Sequence, residues 1–481
     1  MTSSSASVRR GRDRRFAWPF RRTLGTVAVV ASLAASPLAR ADEPDEPAPD
    51  LPALPESVDG QDRVDVLEKR VQELSERLRQ SEEERRTSTP PLSWEGYVDS
   101  GFFVPLGNGG VGFVRDVGNK QFPQYGPDGA TPYAWTFLGD ILGSPINSRG
   151  EAADLGDPPG IHRFDSVDSN GAPGFLVNEV NLRPRYSLSE SAILRASINF
   201  VPRSGANFSF GDFVDVDLAE MEYLVTDDGK TSVFAGKILP VFGIEYKDRK
   251  SDQRFGITPS LVSRYTTGPQ LGLKVRSKLL SDWVVLAGSI TNNSSTTESF
   301  HFYREVDRNI GKTLNGRAAL SVPVGQLLHH GGDRLEVGLS GEWGPQDGAS
   351  DNAGDIWFLG ADLQYLSANY ALKGQIMKGH APGRADEDVW GLDLRYSGYL
   401  ELDWQLLARL GLIGRAEIRD ATVVLGTERL YLTKQARFTA GVRVVFNPHI
   451  VLKAEYLHNL EYGGIAQIDN DVATSSLVLA F

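Results

Sequence analysis

Asp471–Phe481 reads DVATSSLVLAF, and this stretch decides how the rest of the chain is read. Ala473, Ser475, Leu477, Leu479 and Phe481 fall on one face of an extended strand, and the chain stops on the aromatic. A chain that stops inside an alternating strand is expected to close a sheet, because an unpaired edge of amides and carbonyls templates aggregation. The same alternation is therefore sought upstream.

It recurs from Leu92 onward. Trp94, Val98 and Phe102 alternate with Glu95 and Asp99, and Leu194, Ala196, Ile198 and Phe200 with Arg195, Ser197 and Asn199. Leu335, Val337, Leu339 and Trp343 alternate with Arg334, Glu336, Ser340 and Glu342. Trp404, Leu406, Ala408 and Leu410 alternate with Asp403, Gln405 and Arg409; Phe438, Ala440, Val442, Val444 and Phe446 alternate with Arg437, Thr439 and Arg443. Period two with long polar side chains on the second face marks half-buried strands, with the polar face either in water or lining a barrel lumen.

The connections separate these two readings. Asp227-Asp228-Gly229 and Asn447-Pro448 are tight turns, whereas Pro105–Gly174, Pro240–Thr266 and Thr291–Lys312 are long and polar. Short turns at one rim and long loops at the other suit a membrane barrel. At roughly 22–26 residues per strand and connection, residues 92–481 predict an all-β antiparallel barrel of about 16 strands, with 14 to 18 acceptable. Trp94, Tyr97, Trp283, Trp343, Trp357, Tyr365, Trp390, Tyr396 and Trp404 are expected in aromatic girdles near strand ends.

Residues 1–41 read as a cleaved secretory signal: an Arg-rich start, an apolar run from Leu24 to Ala35, and Ala39-Arg40-Ala41 before Asp42. The apolar run is too short to span a bilayer. Without it, 42 basic residues face 61 acidic ones, a net charge of −19 against −12 for the whole chain. That acidity excludes nucleic acid as a natural partner. Residues 42–60 form a Pro-rich linker expected in the periplasm. In 61–86, Val64, Leu67, Val71, Leu74 and Leu78 space as the seam of a short coiled-coil helix, with Arg70 and Arg77 at g and Glu68 and Glu82 at e. With no Cys, disulfides and thiolate chemistry are excluded.

Three segments and the chain end carry a resemblance. WEGYVDSGFF (94–103), VFAGKILPVFGIEYKDR (233–249) with Gly236-Lys237 and Pro240-Val241-Phe242-Gly243, and TTGPQLGLKVRSKL (266–279) resemble the phosphate-selective porin O and P family and related Gram-negative outer-membrane β-barrel porins. FTAGVRVVFNPHIVLKAEYLHN (438–459) is similar to that family's penultimate hairpin, and Leu477, Leu479 and Phe481 resemble the barrel-assembly signal. The resemblance implies a trimeric, passively conducting outer-membrane channel that meets outer-membrane lipid and the barrel-assembly machinery. A plugged barrel with a structural or adhesive role is the alternative.

No catalytic constellation stands out: the seven His are scattered, and there is no G-x-S-x-G elbow or P-loop. The chain is read as a non-enzyme without cofactor or metal. The functional candidates are cations on the polar strand faces, expected to line the pore: Arg183, Arg185, Arg195, Lys274, Arg276, Lys278, Arg395, Arg409, Arg437, Arg443 and Lys453. Such a row raises the local concentration of anions, with Arg suited to oxyanions by its planar fork. Asp99, Glu179, Glu336, Asp362, Asp393, Asp403 and Glu455 oppose it on the same faces. A long loop, Pro240–Thr266 or Thr291–Lys312, is expected to fold inward as a constriction. The first would bring Glu245, Lys247, Asp248, Arg249, Lys250, Asp252 and Arg254 to the bore.

Overall fold

Period-two sequence becomes a closed ring of strands in the computed structural model. It describes residues 92–105, 113–114, 136–137, 174–200, 214–226, 228–296, 309–325, 332–345, 350–352, 355–384, 386, 391–425, 428–461 and 471–481. The expected signal, linker and coiled-coil helix, and most of the 105–174 insertion, lie outside the described residues.

The strands are β1 (Leu92–Pro105), β2 (Phe113–Val114), β3 (Thr136–Phe137), β4 (Gly174–Ser187), β5 (Ala192–Phe200) and β6 (Val214–Leu224). Next come β7 (Thr231–Ile238), β8 (Gln270–Leu279), β9 (Val284–Thr291), β10 (Thr313–Val322), β11 (Arg334–Pro345) and β12 (Asp355–Leu366). The last are β13 (Tyr370–Ala381), β14 (Gly391–Leu407), β15 (Leu410–Leu425), β16 (Glu428–Asn447), β17 (Ile450–Glu461) and β18 (Val472–Ala480). All but β2 and β3, which pair as a small ribbon, form one barrel of 16 strands, each antiparallel to its chain neighbour. That is the expected number.

Closure is made by β1, which pairs with both β4 and β18. Gly96 and Phe481 exchange backbone hydrogen bonds of 3.1 and 3.0 Å, so the terminal aromatic completes the ladder. Gly96 is required there because a Cβ would stand 2.5 Å from both the Asn181 carbonyl oxygen and the Phe481 ring. Gly96→Val is expected to impair closure, cutting the heat-modifiable, folded fraction on refolding severalfold; an unchanged fraction would contradict this seam.

The two faces are inverted relative to a water-soluble barrel. Outside, Leu339 and Leu359 are 66% and 60% exposed, and Trp343, Leu400, Trp404 and Phe438 are exposed as well. Inside, Asp99, Glu179, Arg317, Asp362, Arg415, Glu417, Arg419 and Lys453 are buried. Water at the outer face would make so much exposed apolar surface an aggregation liability. Trp94, Trp283, Trp343 and Trp404 are exposed on the outer face as the girdle reading expects. Tyr97 is not: it is fully buried, and its hydroxyl donates to Glu179 Oε2 at 2.6 Å. It belongs to the lumen because strand parity puts it with Asp99 rather than with Trp94.

Candidate functional site: the loop across the barrel lumen

Residues 239–269, between β7 and β8, turn back into the barrel. They contain a 3-10 turn, Glu245–Asp248, and a single helical turn, Ser263–Thr266. Val241, Phe242, Ile244, Ile257, Leu261, Val262 and Tyr265 are all buried, so the loop hides its own apolar residues while its polar atoms meet the charged wall. Gly243 has φ +69°, and a Cβ there would stand 2.3 Å from the Gln375 side chain. The wall strand can approach because glycine leaves the space and tolerates that backbone.

Three sets of bonds hold the loop. Toward β11 and β13, Gly243 N donates to Ser340 Oγ at 3.0 Å and Ile244 N to Gln375 Oε1 at 3.2 Å. Toward β1, β4 and β6, Ser251 Oγ donates to Asp99 at 2.6 Å, Lys250 pairs with Glu179 at 3.0 Å and Asp217 at 2.8 Å, Arg249 pairs with Asp217, and Asp252 with Arg183. Toward β17, Lys453 Nζ donates to the carbonyls of Ser251, Arg254 and Gly256 at 2.6, 2.5 and 2.9 Å. Beside it, Glu455 accepts from the amides of Ile257 and Thr258 at 2.5 and 3.0 Å.

The loop also reaches β15 and β16, where Leu261 N donates to Glu417 at 2.8 Å and the Pro259 carbonyl accepts from Arg437 at 2.5 Å. In the ring order, β16 is eight strands from β8 in either direction, and β15 is eight from β7. The loop therefore spans the lumen to the wall opposite its root. That is the inward fold expected of Pro240–Thr266. For Thr291–Lys312, residues 297–308 lie outside the described residues.

The loop charges named from the sequence are mostly taken up as staples. Asp248 pairs with Lys373 at 2.7 Å, Glu245 accepts from Ser260, and Arg254 donates to the carbonyls of Asp248, Arg249 and Ile257. Among the described residues, Lys247 is the loop charge most open to the bore, 40% exposed and 3.4 Å from Glu336.

The candidate cations divide in the same way. Arg183, Arg437 and Lys453 bind the loop, and Arg443 lies over the Phe255 ring at 5.3 Å. Lys274 donates to the Leu239 carbonyl at 2.9 Å and stands over Phe234. Arg185, Arg195, Arg276 and Lys278 face the lumen near the tight-turn rim. Arg276 is 44% exposed, 3.6 Å from Glu222, and Arg195 pairs with the same Glu222.

Two expected pore-lining residues are elsewhere. Arg409 lies in the turn between β14 and β15, because β14 ends at Leu407. Arg395 points outward, as does Asp393, because the β14–β15 register shifts between Leu394 and Tyr396 and reverses which parity faces in.

The alternation also held residues that were not singled out. Arg415, Glu417 and Arg419 alternate with Ala416 and Ile418, and Asp217 follows Val214 and Val216. Arg415 binds Glu401 at 3.0 Å and Glu417, while Arg317 binds Asp362 at 2.5 Å and Glu336 at 2.8 Å. Period two was the signal available for them.

No protein-family model matches the chain, and no curated protein matches it. Among solved structures, the chain is similar to OprB of Pseudomonas putida at high pH, with 10% identity, a TM-score of 0.48, and 81% of this chain and 94% of that one covered. It is also similar to OmpF of Salmonella typhi in complex with daunomycin (10%, TM-score 0.47, 81% and 97%). For the outer membrane channel DcaP of Acinetobacter baumannii the values are 10%, 0.46, 81% and 97%. At such identities and scores, what this barrel does is read from its own residues.

Proposed function

We propose that this chain is a porin of the Gram-negative outer membrane: a diffusion channel for small hydrophilic solutes, narrowed by the loop across its lumen. The inverted polarity carries this reading, with an apolar exterior suited to lipid and an ionic interior suited to water and solutes. Diffusion through such a bore needs no cofactor and no covalent step. The N-terminal signal, linker and helix fit export and a periplasmic segment that helps a homotrimer form. Leu477, Leu479 and exposed Phe481 suit recognition by the barrel-assembly machinery.

The preferred solutes are anions. Toward the tight-turn mouth, Arg185, Arg195, Arg276 and Lys247 remain open to the bore, against Glu95 as the most exposed carboxylate among the described lumen residues. Arg185 stands directly opposite Arg195 across β4 and β5, and Arg195 is already balanced by Glu220 and Glu222 on β6. The test is the reversal potential of refolded protein in a planar bilayer under a salt gradient. Anion preference is expected, and Arg276→Glu is expected to lower the anion-to-cation permeability ratio about two- to fivefold. Cation preference in the unsubstituted protein would overturn the assignment.

A second reading is favoured by the loop's attachment all around the wall: a plugged barrel with a structural role. In that case a folded barrel conducts nothing.

A further inference from the structure

The lumen wall holds one carboxylate that no cation reaches. Glu342 of β11 is buried and accepts only from neutral donors, Ser295 N at 3.3 and 3.0 Å and Gln270 Nε2 at 3.4 Å. Among the described residues, no Lys, Arg or His pairs with it. The cations of the neighbouring strands are held elsewhere: Arg317 of β10 on Asp362 and Glu336, Lys274 of β8 on the Leu239 carbonyl. On the β12 side, Glu342 stands opposite buried Phe358. A buried charge without compensation is expensive, so a positive partner belongs beside it. The position matters because Ser295 is a joint. Its amide rests on Glu342, its carbonyl accepts from Gly268 N at 2.8 Å, and its hydroxyl donates to the Tyr265 carbonyl at 2.9 Å. The charge state of Glu342 therefore bears on the returning end of the crossing loop.

Oxygens gather around the same carboxylate. Asn315 of β10 stands directly opposite Glu342, which sets their Cβ atoms about 5 Å apart. Its Oδ1 has no hydrogen-bond partner among the described residues, and neither do Gln270 Oε1 and Thr313 Oγ1. All three side chains are more than nine-tenths buried. Thr313 Oγ1 lies over Gly344, where a Cβ would stand 2.7 Å from it, so glycine keeps room for this hydroxyl two residues from Glu342. Orphaned buried polar atoms are rare and mark a place for water or an ion. These atoms are shut off from water, which favours a smaller partner. An all-oxygen set suits hard cations rather than those that seek thiolate or imidazole. One carboxylate balances a single positive charge, whereas calcium sites draw on several and would leave net charge buried here. Potassium is as large as water, and sodium is smaller.

We propose that Glu342, Asn315, Thr313 and Gln270 bind a sodium ion in the lumen wall, and that the ion secures the Ser295 joint to the crossing loop. The site needs the closed barrel but no conduction, so a silent channel leaves it untouched. The test uses the refolded full chain in detergent, in sodium, potassium or choline chloride at equal concentration and one pH. Sodium NMR relaxation is expected to show saturable broadening by the protein that vanishes in Glu342→Gln. At a sodium concentration ten times its dissociation constant, the folded-to-unfolded ratio should be about tenfold higher than in choline. The glutamine variant can still accept from Ser295 and carries no charge, so it should match or exceed the unsubstituted barrel in choline and ignore sodium. Loss of its stability in every salt would make Glu342 merely structural and overturns the proposal. Equal stability of the unsubstituted barrel in all three salts overturns it too. So does stabilisation by acid alone, which would make a proton the neutralising partner. Asn315→Leu keeps the carboxylate and should weaken sodium binding severalfold; unchanged affinity would contradict the oxygen cage.

Discussion

Replacing Lys453 with Met is expected to free the crossing loop from the β17 wall and raise single-channel conductance about two- to threefold. The fully buried ammonium donates to three loop carbonyls, those of Ser251, Arg254 and Gly256. Methionine fills similar space and donates nothing. The three carbonyls then lose their partner, and Glu455, two residues along the same strand, loses a neighbouring positive charge. Removing one side of a buried ionic arrangement costs about 3–5 kcal/mol. The loop has a cheaper outcome than staying dry and unpaired, because water from the bore can enter and solvate it. The effect should therefore appear as a wider and noisier channel more than as a lost fold. Unchanged conductance and noise would show that Lys453 merely decorates the wall.

The second large effect is expected at Arg317, with the opposite signature. Its guanidinium joins Asp362 and Glu336 on the β10–β12 wall, and both Arg317 and Asp362 are buried. Arg317→Met leaves Asp362 charged without a cation on it, a loss of about 3–5 kcal/mol. Lys247 still neutralises Glu336 from the loop. The denaturant midpoint in lipid vesicles should fall, while conductance of the channels that do fold stays within about 20% of the original. A large conductance change with unaltered stability would place Arg317 in the permeation path instead. The two substitutions together distinguish charges that hold the loop from charges that hold the wall.

Much of the barrel was legible before any coordinates because one rule, period two, acts on every strand. Leu335–Trp343 and Phe438–Phe446 read outward as they stand, and the terminal strand pairs where an edge had to be covered. The rule fails where a strand changes phase. A bulge between Leu394 and Tyr396 put Arg395 and Asp393 outside, and the early end of β14 left Arg409 in a turn. Neither leaves a mark in hydrophobic pattern.

The inward loop was half legible. A polar segment holding Val241, Phe242, Ile244, Ile257, Leu261 and Val262 must find somewhere dry, which argues for folding into the barrel rather than away from it. Which wall it meets was not readable, because partners such as Lys453 and Ser251 are 202 residues apart. Their pairing follows from ring closure, and no local pattern encodes it. The same distance explains why several cations read as candidate pore-lining charges, Arg183, Arg437 and Lys453, could not be assigned to the loop they hold.

The most direct measurement is single-channel conductance of the refolded barrel beside a variant in which 240–267 is replaced by a short Gly-Ser linker. A loop that crosses an open bore predicts stable, ion-conducting channels from the full chain, and conductance several times larger from the variant. Equal conductance in both would contradict a constriction at this loop. No conductance from either, in barrels shown to be folded, would contradict a channel altogether.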